Sequence, residues 1–210
     1  MAIVTGASSG IGKATAIALS RKGCHVVLCS RNLDKLLEIE KELSYFRNGI
    51  ISIPVDITDP ASVARLVTKT LEHFARIDFL ICNAGEYLRC PAARTTISQI
   101  QHLLEVNFFG NLHCIYEVLP HMLKRGKGQI VIVSSMDAKK GIPPDAAYVA
   151  SKAAISGFAE VMRQELKAQG ITVTTIFPGR VDTPMVSKLA VPRISAKLPP
   201  EKVAKVIVKS

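Results

Sequence analysis

Tyr148 and Lys152 stand four residues apart in YVASK, and the upstream run IVSS ends on Ser134 and Ser135. A spacing of i, i+4 puts a phenol and an ammonium on one face of a helix. Tyrosine, with an ordinary pKa near 10, holds little phenolate at neutral pH. A neighbouring ammonium favours the phenolate and brings the proton within catalytic reach. The pair therefore suits reversible proton transfer to a carbonyl oxygen or from an alcohol. Tyr-x3-Lys alone is a common accident. A serine hydroxyl at a strand end strengthens it, because it can hold the substrate oxygen while Tyr148 moves the proton.

A second chemical stretch is TGASSGIG, residues 5–12, directly behind the apolar Ala2, Ile3 and Val4. A glycine-rich turn between strand and helix points free backbone N–H groups and a helix N-terminus at an anion. The spacing Gly6-x3-Gly10-x-Gly12 differs from G-x-G-x-x-G, and no Lys follows the last glycine as a nucleotide triphosphatase loop requires. Ser8, Ser9 and Ile11 complete the candidate cradle. About 20 residues on, where a carboxylate would hold the ribose hydroxyls of NAD, the chain reads Ser30-Arg31-Asn32. A hydroxyl followed by a guanidinium suits a 2′-phosphate, which favours NADP(H) over NAD(H). The competing reading has Arg31 opening a solvated helix, with Asp34 near enough to pair with it.

These residues need elements to hold them. β-Branched apolar runs predict strands over 2–5, 25–30, 50–55, 77–82, 129–134 and 171–177. Between them, 3.6-residue periodicity predicts helices over 13–22, 33–46, 97–125 (in one piece or two) and 147–169. Another helix opens at Pro60 behind an Asp59 cap and runs towards Phe74. A last helix is expected over 200–209. Near-continuous apolar strands alternating with helices imply a parallel sheet covered on both faces. The expected architecture is a Rossmann-like, doubly wound, three-layer α/β/α domain over residues 1–210. Ser135 then falls at the carboxyl end of the fifth strand, where such sheets form their ligand crevice.

Composition narrows the class. The 210 residues suit one domain with a large core, and 48% of them are hydrophobic. No run nears the roughly 18 apolar residues of a membrane span, and no leader precedes the glycine loop. The five cysteines (24, 29, 82, 90 and 114) and five histidines (25, 73, 102, 113 and 121) show no metal spacing. A reducing, cytoplasmic setting fits them. The net charge of +10 raises nucleic acid or an anionic membrane surface as a partner. Much of it gathers near the end, where Lys188, Arg193, Lys197, Lys202, Lys205 and Lys209 face Glu201 alone, as in a solvated basic helix. No nucleic-acid partner is expected.

In order along the chain, these motifs resemble the short-chain dehydrogenase/reductase family. TGASSGIG is similar to its TGxxxGxG cofactor loop, Asp56 in VDIT to its adenine-contacting aspartate, and CNAG (82–85) to its NNAG. Asn107 in VNFFG, Ser135, YVASK and Pro178-Gly179 follow in the family's order, from residue 2 to about 185. The resemblance selects Ser135 over Ser134. It implies Tyr148 as general acid/base, and Lys152 tuning it and gripping the nicotinamide ribose. Asn107 would complete a proton relay through a water held by its backbone. It further implies that Ile57 belongs to the cofactor site, and that Asn83, Ala84 and Gly85 line the ribose and phosphate path. The turn of Pro178, Gly179, Val181 and Thr183 would hold the nicotinamide end, Val181 contacting the carboxamide and Thr183 a phosphate, with a substrate lid over 183–199. The implied activity is hydride transfer between NADP(H) and a carbonyl or secondary alcohol. Met136, Ile142, Met185 and Leu189 lean towards a hydrophobic small molecule. Two rival readings are a reductase of long-chain lipid ketones at a membrane surface and a catalytically silent NADP(H)-binding regulator. The family also implies a homodimer or homotetramer. Two departures stand out: Cys82 replaces the first Asn of NNAG, and a seventh strand usual in the family has no counterpart before Ser210.

Overall fold

A computed structural model describes residues 1–46, 48–187 and 197–210. Among these residues, six strands form one parallel sheet: β1 (Ala2–Thr5), β2 (Val26–Ser30), β3 (Ile50–Pro54), β4 (Phe79–Cys82), β5 (Gly128–Val133) and β6 (Ile171–Ile176). Their order is β3-β2-β1-β4-β5-β6. The helices are α1 (Gly10–Ser20), α2 (Leu33–Leu43), α3 (Pro60–Phe74), α4 (Ile97–Leu104), α5 (Gly110–Arg125), α6 (Ala146–Lys167), the single turn α7 (Pro184–Ser187) and α8 (Pro200–Lys209).

The period-two geometry of a strand divides its apolar run between two cores. Ile3, Val27 and Cys29 join Leu66 of α3, Ile115 of α5 and Ile155 of α6 on one face. Ala2, Val4, Val26 and Leu28 join Leu19 of α1, Leu36 of α2 and Ile207 of α8 on the other. Both faces are thus buried, the Rossmann-like arrangement expected of continuous apolar strands. The chain winds from β1 towards β3 on one side and resumes at β4 on the other, so the sheet's crevice opens between β1 and β4.

Local chemistry sets the element ends. Asp59 accepts from Ala61 N at 3.0 Å with Pro60 as the first helical residue, and Thr96 and Gln99 form a reciprocal capping box. The helix expected over 33–46 stops at Leu43 and tightens into a 3₁₀ turn, Ser44–Phe46. The 97–125 stretch is one helical path broken by a π turn, Glu105–Phe109. Of the segment 183–199, Thr183–Ser187 and 197–199 are described; the rest of the expected lid, with Leu189, lies outside the described residues. No helix among the described residues is long and apolar enough to cross a membrane.

Candidate active site

A cleft of about 880 Å³ runs along the carboxyl ends of the strands. Its near end is the glycine loop. Gly6 and Gly10 adopt φ of +65° and +53°, conformations that favour glycine. Ser9 caps α1 without a side-chain bond into the helix, and the N–H groups of the first turn lack intrahelical partners. Gly10 must also stay small, because a Cβ there would stand 2.9 Å from Thr183 Cγ2. The loop and the turn after β6 thus close on each other. Gly12 lies behind the wall, where a Cβ would overlap the Gly6 carbonyl oxygen and approach Asn83 Nδ2 at 2.6 Å. That contact packs the start of α1 on the glycine turn and on the turn after β4.

The loop is pinned to β4 through Thr5. Its fully buried hydroxyl donates to Ile81 O at 3.1 Å and accepts from Asn83 N and Ala84 N, both at 3.0 Å. Asn83 Nδ2 donates to Thr5 O at 2.9 Å. Asn83 therefore carries the strand-end turn, and Cys82 in place of an asparagine leaves it intact. Further along, Asp56 Oδ1 accepts from Thr58 N and Oγ1 at 2.9 and 2.7 Å, which holds its carboxyl below the usual range. Ser30, Ile57, Ala84, Gly85, Pro178, Gly179 and Val181 line the same cleft. Arg31 lines it too, but it does not pair with Asp34. Its guanidinium reaches Glu86 Oε1 at 2.9 Å. Sequence distance concealed that partner, which stands 55 positions away.

At the far end, Ser135, Tyr148 and Lys152 converge. The paired serines diverge. Ser134 Oγ contacts Ser156 Oγ at 2.7 Å and donates to Lys152 O, tying α6 to β5. Ser135 Oγ accepts from Asp137 N at 3.2 Å and lines the cleft beside Tyr148. Tyr148 is buried in a small apolar cluster with Leu103 and Ala147, and the Tyr87 ring meets it edge-on at 4.7 Å between centroids. Burial pushes its phenol up to about 12, the nearby Ser135 hydroxyl offsets part of the rise, and Asp137 and Asp145 add to it. This corrects the sequence expectation, in which the Lys152 ammonium lowers that phenol. Lys152 Nζ instead donates to Val133 O at 3.0 Å, and burial lowers its own pKa to about 8.

Asn107 stands one layer back, fully buried in the π turn. Its amide donates to Glu86 O and Ser151 Oγ at 2.9 Å each, and Oδ1 accepts from Glu86 N at 2.8 Å. A Cβ on Gly85 would press on Asn107 Oδ1 at 2.8 Å and Lys152 Nζ at 3.3 Å. Gly85 is therefore glycine because Asn107 and Lys152 pack on it. Of the residues expected to hold the cofactor or act on the substrate oxygen, all but Gly12 and Asn107 line the cleft.

The profile of the short chain dehydrogenase family matches residues 1–193. The chain belongs to that family. An oxidoreductase of Staphylococcus epidermidis is 35% identical over 185 residues, 88% of this chain and 79% of that protein. A fatty acyl-CoA reductase of Acinetobacter baylyi is 32% identical over 99% of this chain and 71% of its own length. Among solved structures, actinorhodin polyketide ketoreductase with NADPH superposes with a TM-score of 0.92 at 30% identity, covering 99% of this chain and 88% of that one. Membership makes this short-chain dehydrogenase an oxidoreductase acting on CH–OH/C=O groups.

A dinucleotide fits the cleft of this short-chain dehydrogenase on its own geometry: left-handed glycines, an open helix N-terminus, and walls from both halves of the sheet. Sequence reasoning missed Tyr87, Asp145 and Asn111 around the Tyr148 end of the cleft. Tyr87 donates to Asp145 Oδ2 at 2.7 Å, and Asn111 Nδ2 donates to Asn107 O at 3.0 Å. No motif marks Tyr87 and Asp145, because they meet through a loop folded back onto the start of α6, and Asn111 of α5 acts by holding the π turn. Cys90 does not line the cleft; its thiol contacts Pro91 O. No three His, Cys, Asp or Glu side chains among the described residues gather to hold a metal.

Proposed function

We propose that the chain is an NADP(H)-dependent oxidoreductase that reduces the carbonyl of a hydrophobic small molecule, or oxidises the matching alcohol. The observation that carries this reading is convergence: Ser135, Tyr148 and Lys152 meet at one end of a cleft whose other end is the glycine loop. The loop residues Gly6, Ser8, Ser9, Gly10 and Ile11 take the phosphates. Arg31 and Ser30 take the 2′-phosphate side, Asp56 and Ile57 the adenine. Asn83, Ala84, Gly85 and Lys152 hold the ribose path, and Pro178, Gly179, Val181 and Thr183 the nicotinamide. When bound, the dinucleotide supplies the hydride.

The chain's own residues do the rest. Ser135 Oγ holds the carbonyl oxygen. Tyr148 gives its proton to that oxygen as negative charge develops there. A phenol pushed up by burial stays protonated at neutral pH, which is the form an acid needs. Lys152 keeps positive charge beside the departing proton, and Asn107 braces Lys152 through Gly85 and closes the relay that restores the phenol. Met136, Ile142 and Met185 line the substrate end while remaining exposed, which supports an apolar substrate. A regulator without turnover would have no use for an intact Ser135–Tyr148–Lys152 set. The same reading has two copies pair through the α5 and α6 faces.

Replacement Tyr148→Phe tests the mechanism. NADPH oxidation against a panel of ketones and aldehydes should disappear, while NADPH binding stays within about twofold because ring and packing are kept. Unchanged turnover in that variant would overturn the mechanism.

A further inference from the structure

Arg31 follows the last residue of β2, and Glu86 stands four positions past the end of β4. Those two strands flank β1, so the Arg31–Glu86 ion pair reaches across the carboxyl end of β1, where the glycine loop opens. Both side chains line the cleft. The pair therefore crosses the groove that a dinucleotide must enter.

Glu86 is held from several directions. Asn107 fixes its backbone N–H and carbonyl, so its position is set by the buried π turn. Its second oxygen, Oε2, contacts His102 Nε2 of α4 at 2.7 Å. Burial raises the carboxyl, and the bonds from His102 and Arg31 overcome that and hold it below its ordinary range. Glu86 is thus an anion beside the guanidinium assigned above to the 2′-phosphate. A carboxylate and a phosphate compete for one guanidinium through the same planar N–H donors. When Arg31 turns to a phosphate, His102 remains as Glu86's partner, so the carboxylate is not left alone.

We propose that Glu86 sets the cofactor preference of this enzyme by occupying Arg31 in the free protein, a competition that NADP(H) must win and NAD(H) does not enter. The inference rests on the NADP(H) reading above and adds to it a residue that restrains that preference. Arg31 is 66% exposed and Glu86 31% exposed, so the pair is solvent-screened and its effect is modest.

The test is a set of dissociation constants for NADPH and NADH, read by fluorescence titration at low ionic strength on the intact protein, Glu86→Gln, Arg31→Gln and the double variant. Glu86→Gln should tighten NADPH by about three- to tenfold, the range for releasing one exposed ion pair and removing a nearby like charge. NADH should change by less than about twofold. In the Arg31→Gln background, most of the Glu86→Gln gain should vanish, since the competition no longer exists. The inference is overturned by no gain for NADPH, by an equal gain for NADH, or by a gain that survives whole without Arg31. Weaker NADH binding in Glu86→Gln would overturn it too, making Glu86 a ribose-hydroxyl acceptor. Arg31→Gln alone reads the underlying proposal. If it fails to weaken NADPH relative to NADH, the NADP(H) assignment falls with the inference; if it weakens NADPH while Glu86→Gln changes nothing, only the inference falls.

Discussion

Ser134 and Ser135 share a strand end and a functional group, yet their neighbours divide their roles. Ser134 spends its hydroxyl on Ser156 and the Lys152 carbonyl; Ser135 faces Tyr148. Ser135→Ala should lower kcat/KM by about 10²- to 10³-fold, as for loss of one donor to a developing oxyanion. Ser134→Ala should leave kcat/KM within a few-fold and lower Tm by about 2–4 °C, from one lost buried hydrogen bond. Steady-state kinetics and thermal melts on both variants separate the two. A pH prediction belongs at the same scale. Lys152, lowered by burial to about 8, is charged below that pH and neutral above it, while Tyr148 stays protonated until about 12. For reduction, kcat/KM for the dinucleotide, which reports the free enzyme's ionisations, should be level below pH 7 and fall as pH rises through about 8. A profile level to pH 9.5 would show that Lys152 keeps its proton there.

At the scale of elements, the π turn Glu105–Phe109 is a positioning device. It sets Asn107 into the core, where one amide joins the loop after β4 to α6 through Glu86 and Ser151. Asn107→Ala strips three hydrogen bonds and leaves the Glu86 N–H and carbonyl unsatisfied, a cost of about 2–4 kcal/mol. Tm should fall by roughly 5–12 °C on that basis, and turnover should fall with it because Gly85 and Lys152 lose their brace. A variant that melts like the parent would deny this role. The elements themselves were legible in sequence wherever periodicity and punctuation agreed, as at Asp59-Pro60 and at the apolar strands. The π turn was not, since an extra residue in a helical turn leaves no mark in a hydrophobic pattern.

Over the whole molecule, the parallel sheet brings the glycine loop and the Ser135–Tyr148–Lys152 cluster to one edge although more than a hundred positions separate them. The same fold leaves apolar surface on one side: Phe109 and Tyr116 on and beside α5 and Val161 on α6 are exposed, and Phe158 between them is half-buried. Ile155, Ala159 and Met162 of α6 turn inward to the sheet instead. Under the proposed pairing through α5 and α6, Val161→Asp should shift the protein towards monomer in sedimentation velocity, with its melting curve little changed. An unaltered sedimentation coefficient would move the interface elsewhere.

Sequence alone determined the doubly wound fold, the glycine loop, the Tyr148–Lys152 spacing and the family resemblance that singles out Ser135, because these depend on local periodicity, on φ values that only glycine readily takes, on fixed spacing along one helix and on motifs in a set order. Tertiary structure alone decided what those groups face. It paired Arg31 with Glu86 rather than Asp34, turned the Lys152 ammonium to the Val133 carbonyl, raised the Tyr148 phenol, and made Gly85 and Gly12 packing positions. Burial and partner identity are properties of the assembled neighbourhood, and each of these neighbourhoods joins segments that the chain holds far apart.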